Sequence, residues 1–407
     1  MTAAPFPTSI LHAEALGIIV EVAGRHRLDS EFLALGRTHG RVLAQDVIAP
    51  MPLPPFDNSA MDGFAYRHAD LTDGPTCLRL TGEQFAGTAE PGSLAAGECW
   101  RITTGAPLPA GADSVVIKER VDVDGDCVHV PAGEMAGANV RRAGEDVREG
   151  DRVLQAGQVL TPARVSLAAS LGLPSLCVSR RPTVAVFTSG DELVEPGLPL
   201  SPGQIHDSNR ELLMGLLRAE GLEPTAWPRL PDDARQVEIA LRDAACAFDV
   251  VLTCGAVSAG EKDHIPAVVE RFGEVHFWKV LMKPGMPALL GSIDQARILA
   301  LPGNPVSVLA TWLTLGRALV DGLQGRAEPR PIWKARLAAP IDKRHPRREF
   351  IRATAMFDDA GHLCVTPNSG TGSHRLRVAA DSDALIVVPE GEQALPAGAV
   401  VEVLPYR

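Results

Sequence analysis

The feature that most constrains this chain is a regular alternation of strand and helix patterns between residues 183 and 323. Short apolar runs typical of buried strands occur at 183–187, 249–254, 275–282 and 297–301. Helix patterns follow them at 208–221, 232–246, 265–273 and 305–323, and a capping box of Ser208 with Glu211 is predicted to open the first. Parallel strands require a crossover connection, which is usually a helix. The alternation therefore predicts a mostly parallel sheet with helices on both faces.

The remaining segments predict domains of other kinds. Residues 9–24 form an amphipathic helix pattern, and a second helix is predicted from Thr161 as N-cap, with Pro162 in its first turn and Gly172 past its end. We expect these two helices to pack together in one domain. Elsewhere the runs are short, β-like and punctuated by glycine. The expected units are a two-segment domain (1–45 and 141–179), an inserted β-rich domain (46–140), an α/β domain (180–327) and a C-terminal β domain (328–407).

Composition excludes several classes of protein. The net charge is −11 and aromatic residues make up 4%, which argues against nucleic-acid binding through a basic surface or aromatic stacking. The seven cysteines are scattered without a CxxC pair, so we expect reduced thiols and no zinc site. The N-terminus lacks the basic segment of a signal peptide, and the uncharged stretch 298–316 is interpreted as a loop and a buried helix. We expect a cytoplasmic protein that does not contact membranes.

Candidate functional residues follow the predicted strands of the α/β domain, where ligands bind in sheets of this kind. Glycines in these loops let backbone N–H groups and helix N-termini approach a phosphate, and carboxylates suit a hard cation such as Mg²⁺. Any one such loop is more often an ordinary turn, but four at one sheet edge favour a site. The residues are Ser189, Gly190, Asp191 and Glu192; Ser258 and Asp263; Lys279 and Lys283; and Pro302, Asn304 and Pro305.

Other segments leave alternatives open. Residues 50–63 form a proline-rich strap that ends in DNSAMDG (57–63). These seven residues are either a turn that caps a short helix or a set of functional polar groups. The segment 330–352 has eight Lys or Arg against two Asp or Glu, and is either a solvated surface or one wall of an anion site. The GxxxxG spacing of 255–260 is that of a P-loop, but Glu261 follows where that motif needs lysine, so a P-loop is excluded.

Together, these motifs resemble those of the molybdopterin molybdenumtransferases, a family that includes the C-terminal domain of gephyrin. The resemblance runs nearly from end to end of the chain. It rests on PLPPFDNSAMDGFA (52–65), RITTGAPLPAGAD (101–113), RRAGEDV (141–147), TSGDEL (188–193), CGAVSAGEKD (254–263), FWKVLMKPGMP (277–287) and LPGNPVS (301–307).

The resemblance implies an elongated two-segment domain, a three-layer α/β molybdopterin-binding domain and a C-terminal domain like a β-barrel. It implies a Mg²⁺-dependent transferase that inserts molybdenum, supplied as molybdate, into adenylated molybdopterin with release of AMP. It also implies a homodimer in which one subunit's β-rich domain completes the other's α/β site, and contact with the adenylyltransferase of the pathway.

Site residues are assigned by matching motifs and by the loop argument above. Catalytic roles are expected for Asp62, Glu192, Asp232 and Asp263. Metal binding is expected for Asp146, Asp191, Glu192 and Asp263. Substrate binding is expected for Thr104, Ser189, Gly190, Ser258, Lys279, Lys283, Pro302, Asn304, Pro305, Arg352 and Ser373.

The chain departs from the family at two motifs. Many relatives have KPGKP where this chain has KPGMP, so Met286 removes a positive charge near an anionic ligand. CGAVSAG replaces the commoner GGVSVG, an exchange of small residues that should be tolerated. Two alternatives stand beside the transferase: an adenylyltransferase of the same pathway, which needs only the α/β domain, and a non-catalytic scaffold. The motifs do not distinguish molybdate from tungstate.

Overall fold

The computed structural model describes residues 6–87, 92–258, 263–368, 372, 375–391 and 393–406. A π-helical turn, Trp312–Gly316, makes residues 305–323 one continuous helical segment. The helices are α1 (His12–Arg25), α2 (Pro162–Ser170), α3 (Ser208–Ala219), α4 (Ala234–Ala247), α5 (Ile265–Phe272), α6 (Pro305–Thr311), α7 (Arg317–Leu323) and α8 (Leu376–Ala380).

The strands of the first half of the chain are β1 (Thr8–Ile10), β2 (Ser30–Ala34), β3 (Val47–Ile48), β4 (Asn58–Ser59), β5 (Gly63–Tyr66), β6 (Thr76–Gln84), β7 (Glu98–Ile102), β8 (Ser114–Ile117), β9 (Asp122–Asp124), β10 (Cys127–Val130), β11 (Val140–Arg141), β12 (Arg152–Leu154), β13 (Ser175–Ser179), β14 (Val184–Thr188), β15 (Leu193–Val194) and β16 (Ile205–His206). Those of the second half are β17 (Thr225–Ala226), β18 (Val250–Cys254), β19 (Glu274–Val280), β20 (Met282–Lys283), β21 (Leu289–Ile293), β22 (Ala296–Leu301), β23 (Trp333–Leu337), β24 (Ile341–Lys343), β25 (Arg348–Phe357), β26 (Leu363–Pro367), β27 (Ala384–Val388), β28 (Gln393–Leu395) and β29 (Val400–Pro405).

The central domain is the α/β sheet that the alternation predicts. Its strands are ordered β1-β19-β21-β22-β18-β14-β17. Within the described residues, β21 is the strand that pairs antiparallel with its neighbours, and the other pairings are parallel. The core on one face includes α3, α6 and α7, and the core on the other face includes α4 and α5. The carboxyl ends of β14, β18, β19 and β22 therefore lie at the same edge, as predicted.

The N-terminal segment belongs to this α/β core, so the expected packing of the first helix on the second was wrong. Strand β1 extends the sheet by parallel pairing with β19. Helix α1 buries Ala15, Ile19 and Val22, which lie on one helical face, in the same core as α7. A Cβ added at Gly322 would lie 2.6 Å from Cβ of Ala23, so the two helices approach closely through small residues. The apolar face of α1 thus finds its partner in α7.

Helix α2 begins as predicted but packs elsewhere. The Thr161 side chain accepts a hydrogen bond from the Arg164 N–H, Pro162 is the first helical residue, and Gly172 follows the helix with φ +74°. The helix packs in a core with Leu43, Leu154 and Leu176. Strand pair β2–β13 joins the two separated chain segments, and β3, from the start of the predicted inserted domain, pairs with β12 of the second segment. Strands β2, β3, β12 and β13 and helix α2 therefore pack around one core.

The inserted region forms a six-stranded sheet, ordered β8-β5-β7-β6-β10-β9. Antiparallel pairing of β6 with β10 brings Cys77 and Cys127 to a Cα separation of 5.6 Å, and a disulfide joins them. The expectation that all cysteines are reduced thiols was therefore wrong for this pair. The sequence separation of 50 positions does not predict this disulfide, because the contact between the two cysteines depends on strand pairing.

The C-terminal domain is a closed barrel, as the resemblance implied. Its strands are ordered β25-β26-β23-β29-β27, and β27 pairs back onto β25. Strand β20 leaves the α/β domain and pairs in parallel with β25, Met282 with Arg348 and Lys283 with Glu349. This pairing places Lys283 against the barrel.

The helical segment 305–323 is long and apolar enough to cross a membrane, but 72% of its most apolar window is buried inside the fold. Trp312, Leu315 and Leu319 lie in the α/β core. The segment is a core helix, as the sequence predicted.

Candidate active site

A cavity of about 660 Å³ lies at the carboxyl edge of the sheet. The loops after β14, β18 and β22 and the start of α3 form its walls, and Leu376 of the C-terminal domain lies on its border. Helix α3 and the long 305–323 helical segment both begin here, so their free N–H groups favour an anion. We call this space the edge cavity. The predicted residues that line it are Ser189, Gly190, Glu192, Asp232, Asp263, Asn304 and Pro305.

Two buried residues of the edge cavity were missed by the sequence analysis. Asp207 accepts a hydrogen bond from Thr188 Oγ1 at 2.6 Å and another from the Arg210 N–H at 3.2 Å. The Asn209 amide nitrogen donates to the Gly303 carbonyl at 2.6 Å. The predicted capping box was therefore displaced by one residue, because Asp207 is the N-cap and Ser208 the first helical residue. The polar run DSN before an apolar helix pattern was the available signal.

Glycine is required where the loops after β14 and β18 meet. The Ser189 N–H and Oγ donate to the Cys254 carbonyl at 3.0 and 3.2 Å. Gly255 has φ +94°, and a Cβ added there would lie 2.5 Å from Ser189 Oγ. The neighbouring Cys254 is a thiol with a raised pKa, because burial and then the charge of Asp207 disfavour its ionised form. Cys254 therefore remains protonated at neutral pH.

Besides Asp207, three carboxylates border the edge cavity, those of Glu192, Asp232 and Asp263. Asp191, a predicted metal ligand, does not line it and has its carboxylate 3.7 Å from Arg229. Asp146, another predicted ligand, lies in the chain segment that follows β11. Among the described residues, no three His, Cys, Asp or Glu side chains form a metal-binding group. A Mg²⁺ ion at the cavity would therefore also need oxygens of the substrate or water, which is its usual mode of binding.

The other predicted residues of this edge lie outside the lining. Lys279 has its Nζ 4.6 Å from the Trp278 ring, and the Trp278 indole N–H donates to the Val257 carbonyl at 2.9 Å. Ser258 follows Val257 and is exposed, whereas Pro302 is buried. The indole hydrogen bond ties the end of β19 to the Ser258 loop, which places Lys279 near that loop without making it part of the cavity wall.

A second cavity, of about 310 Å³, contains Lys283 and Arg352. Val306 and Ser307 line it, whereas Asn304 and Pro305 line the edge cavity, so the two cavities flank the first turn of α6. We call it the basic cavity. Its cationic residues are Lys283, Arg347 and Arg352, and its acidic residue is Glu349. The basic segment 330–352 thus supplies a wall of a cavity, which favours the anion-site alternative for that part of the segment.

Asp62 and Thr104 contact each other but do not line either cavity of their own chain. Asp62 Oδ1 accepts hydrogen bonds from the Thr104 N–H at 2.8 Å and from its hydroxyl at 2.9 Å. These bonds, and the nearby Lys118, lower the pKa of the exposed Asp62 carboxyl. The strap therefore presents an ionised carboxylate to solvent. Ser373 lies outside the described residues.

Three family models match successive regions of the chain. Residues 10–172 match the MoeA N-terminal region (domain I and II), 185–321 a probable molybdopterin binding domain, and 334–406 the MoeA C-terminal region (domain IV). The molybdopterin biosynthesis moeA protein from Pyrococcus horikoshii OT3 superposes with a TM-score of 0.84 at 28% identity, covering 98% of this chain and 100% of that one.

Curated relatives match over nearly their whole length. Molybdopterin molybdenumtransferase from Haemophilus influenzae is 37% identical, with 93% of this chain and 94% of the relative covered. Molybdopterin molybdenumtransferase 2 from Mycobacterium tuberculosis is 38% identical, with 91% and 93% covered. With the three matched regions in the same order and the edge cavity in the α/β domain, the chain belongs to the molybdopterin molybdenumtransferase family.

Proposed function

We propose that this protein inserts molybdenum into adenylated molybdopterin and releases AMP, which makes it a transferase of molybdenum cofactor synthesis. The observation that carries the proposal is the pair of cavities on either side of the first turn of α6. One suits a phosphate-bearing substrate and the other suits a small oxyanion. Both anions could thus be held beside each other before they react.

The edge cavity supports binding of the adenylated pterin. Helix starts and glycine-containing loops supply backbone N–H groups that suit phosphates. One or two of the carboxylates of Glu192, Asp232 and Asp263 would hold Mg²⁺ there, together with phosphate oxygens. When bound, Mg²⁺ would neutralise phosphate charge and favour loss of AMP. Asn209 orients the backbone at Gly303, and Asp207 fixes the start of α3 against Thr188.

The basic cavity supports binding of molybdate. Arg352 is buried and donates to the carbonyls of Arg375 and Gly372 at 3.1 and 3.3 Å, which orients its guanidinium. Lys283 lies 2.9 Å from Glu349, so its ammonium is held at the cavity in the absence of a ligand. A tetrahedral dianion would be attracted by these cations, and proximity to the pterin thiolates would then make its transfer an effectively unimolecular step.

The position of Asp62 supports a homodimer with a shared site. Asp62 and Thr104 are absent from both cavities of their own chain, so a role in the reaction requires a second copy. Phe56 and Met61 lie on the same strap and are 46% and 43% exposed. Exposed apolar side chains grouped beside a functional loop are typical of an interface. We infer that the strap of one subunit covers the edge cavity of its partner.

The test is a complementation experiment in mixed dimers, with AMP release from adenylated molybdopterin and molybdate as the readout. Asp263→Ala and Asp62→Ala should each abolish most activity, because one removes an edge-cavity carboxylate and the other the strap carboxylate. A verified heterodimer of the two variants should recover about half of the wild-type activity, because one of its two sites contains neither substitution.

A control pairs Asp263→Ala with Glu192→Ala, which both change the α/β domain. In that heterodimer each site has one defect, so no recovery is expected. No recovery in the test pair would show that each site is built from one chain. Recovery in the control equal to that of the test pair would show that the recovered activity does not come from a site shared between subunits.

The two alternatives have less support. An adenylyltransferase needs only the α/β domain, whereas this chain also has the barrel, and barrel residues line the basic cavity. A scaffold needs no cavity with carboxylates at helix starts. The assay separates the three functions, because an adenylyltransferase would form the adenylate and a scaffold would do neither reaction. We also propose a cytoplasmic location and contact with the adenylyltransferase that supplies the substrate.

A further inference from the structure

The basic cavity contains one arginine that no motif singled out. Arg347 lies in the turn that leads into β25 and lines the cavity together with Met286. Its Nη1 lies 3.7 Å from Sδ of Met286, the residue that stands where many relatives have the second lysine of KPGKP. The Arg347 guanidinium therefore lies close to the position at which a lysine at residue 286 would place its charge.

The turn that carries Arg347 has a fixed backbone. Buried Lys343 donates from Nζ to the carbonyl oxygens of His345 and Arg347 at 2.9 Å each, and also to that of Gly391. Three carbonyl acceptors on one ammonium hold the chain firmly at this turn. The backbone from which the Arg347 side chain enters the cavity wall is therefore already ordered before a ligand binds, which lowers the entropy cost of binding.

The cationic side chains of the basic cavity differ in the ion pairs and hydrogen bonds that they form within the protein. Lys283 forms its ion pair with Glu349, and Arg352 donates to two carbonyl groups. In the part of the chain that the structure describes, no carboxylate lies within ion-pair distance of Arg347, and its side chain contacts the Met286 sulfur. A thioether is a weak acceptor, so most of the hydrogen-bonding capacity of this guanidinium is available to a ligand.

We propose that Arg347 is an anion-binding residue of the basic cavity and supplies the positive charge that KPGKP relatives carry at residue 286. This inference rests on the proposed function, in which the basic cavity binds molybdate. A guanidinium presents a planar fork of donors to an oxyanion, whereas an ammonium is a point charge. The exchange of lysine for methionine at residue 286 therefore moves the contact to a different residue.

The test is calorimetric titration of sodium molybdate into wild type, Arg347→Ala, Met286→Lys and the double variant. Loss of a charge-assisted hydrogen bond predicts that Arg347→Ala raises Kd about ten- to 150-fold. Adding Met286→Lys to Arg347→Ala should recover at least tenfold of that loss, because the lysine restores charge at the same place. Arg347→Lys should bind better than Arg347→Ala, since it keeps the charge.

Arg344→Ala is the matched control. Arg344 lies in the same segment, has an exposed side chain and pairs with Asp342 at 2.6 Å, so its removal takes away an equal charge outside the cavity. Its Kd for molybdate should equal that of wild type. Circular dichroism and hydrogen exchange establish that each variant is folded before it is titrated.

Two results would overturn the assignment of Arg347: wild-type affinity in Arg347→Ala, or no gain in affinity when Met286→Lys is added to a folded Arg347→Ala protein. Failure of the proposed function looks different. If wild type binds AMP but no molybdate, the basic cavity is not the oxyanion site and both proposals fail. If Arg347→Ala alone keeps full molybdate affinity and AMP release, the proposed function stands and Arg347 has no part in it.

Discussion

Gly255→Ala should destabilise the edge of the sheet at which the edge cavity lies. Gly255 has φ +94°, a value that L side chains rarely adopt, and its added Cβ would lie 2.5 Å from Ser189 Oγ. Backbone strain of this kind costs about 1–3 kcal/mol. Ser189 would also have to move away from the Cys254 carbonyl, and a lost hydrogen bond costs about 1 kcal/mol. We expect the free energy of local opening to fall by about 2–4 kcal/mol.

The measurement is hydrogen exchange of the backbone amides of β14 and β18, followed by mass spectrometry. A decrease of this size accelerates exchange by about 30- to 700-fold where opening is at equilibrium. Gly303→Ala is the control, because the one contact of its Cβ with the described residues would be the Gly255 Cα, at an ordinary 3.6 Å. Equal protection in Gly255→Ala and Gly303→Ala would refute the steric argument.

Two further predictions concern ion pairs. Lys283→Ala should raise the Kd for molybdate about ten- to 150-fold and leave AMP binding unchanged, because Lys283 lines the basic cavity and its loss also exposes the ligand to Glu349. The loss should shrink at high salt, and equal values of Kd at low salt would remove Lys283 from the site. Glu220→Gln should lower the free energy of unfolding by about 3 kcal/mol at pH 7, because Glu220 pairs with Arg317 and Arg330 at 2.6 and 2.8 Å. Burial raises the pKa of Glu220, but the two arginines outweigh burial, so the net effect is a lowered pKa. The contribution of Glu220 to the free energy of unfolding is therefore complete above the pKa of an unfolded Glu and is lost as pH falls through the folded value. Urea unfolding curves of wild type and variant that differ equally at pH 7 and pH 3 would contradict this.

Local patterns predicted most elements of the α/β domain. They missed β21, and the predicted strand at 275–282 is in fact β19 of the α/β sheet followed by β20, which pairs with the barrel. The strand at 250–254 and the helix at 234–247 have enough periodic apolar residues that their type follows from sequence alone. The rule that parallel strands share one carboxyl edge then placed Ser189, Glu192, Asp263 and Asn304 together without knowledge of the strand order. Prediction succeeded where one element, or one general rule of topology, decides the outcome.

Prediction was less successful where the position of a residue or helix depends on a second element that is distant in the sequence. The N-terminal helix has an apolar face whose sequence does not say whether α2 or α7 will cover it, and the close approach at Gly322 decides for α7. The cap of α3 shifted by one residue because Asp207 is also the acceptor for Thr188, a contact between two elements. Disulfide bonding of Cys77 to Cys127 likewise depends on the pairing of β6 with β10.

In the candidate site, too, the sequence determines some features and tertiary contacts determine others. The residue types themselves are properties of the sequence and determine which ligands the chain can attract. They are the carboxylates and glycines after strands and the lysine of KPGMP. Only the tertiary structure separates them into two cavities, because β20 leaves the sheet and pairs with β25, which carries Lys283 away from the edge cavity to the barrel and to Arg352. Arg347 joins Met286 for the same reason. The sequence by itself determined the chemistry available to this protein. The packing of the barrel against the α/β domain decided which charged groups act on the same ligand, because contacts between distant segments depend on how whole elements pair.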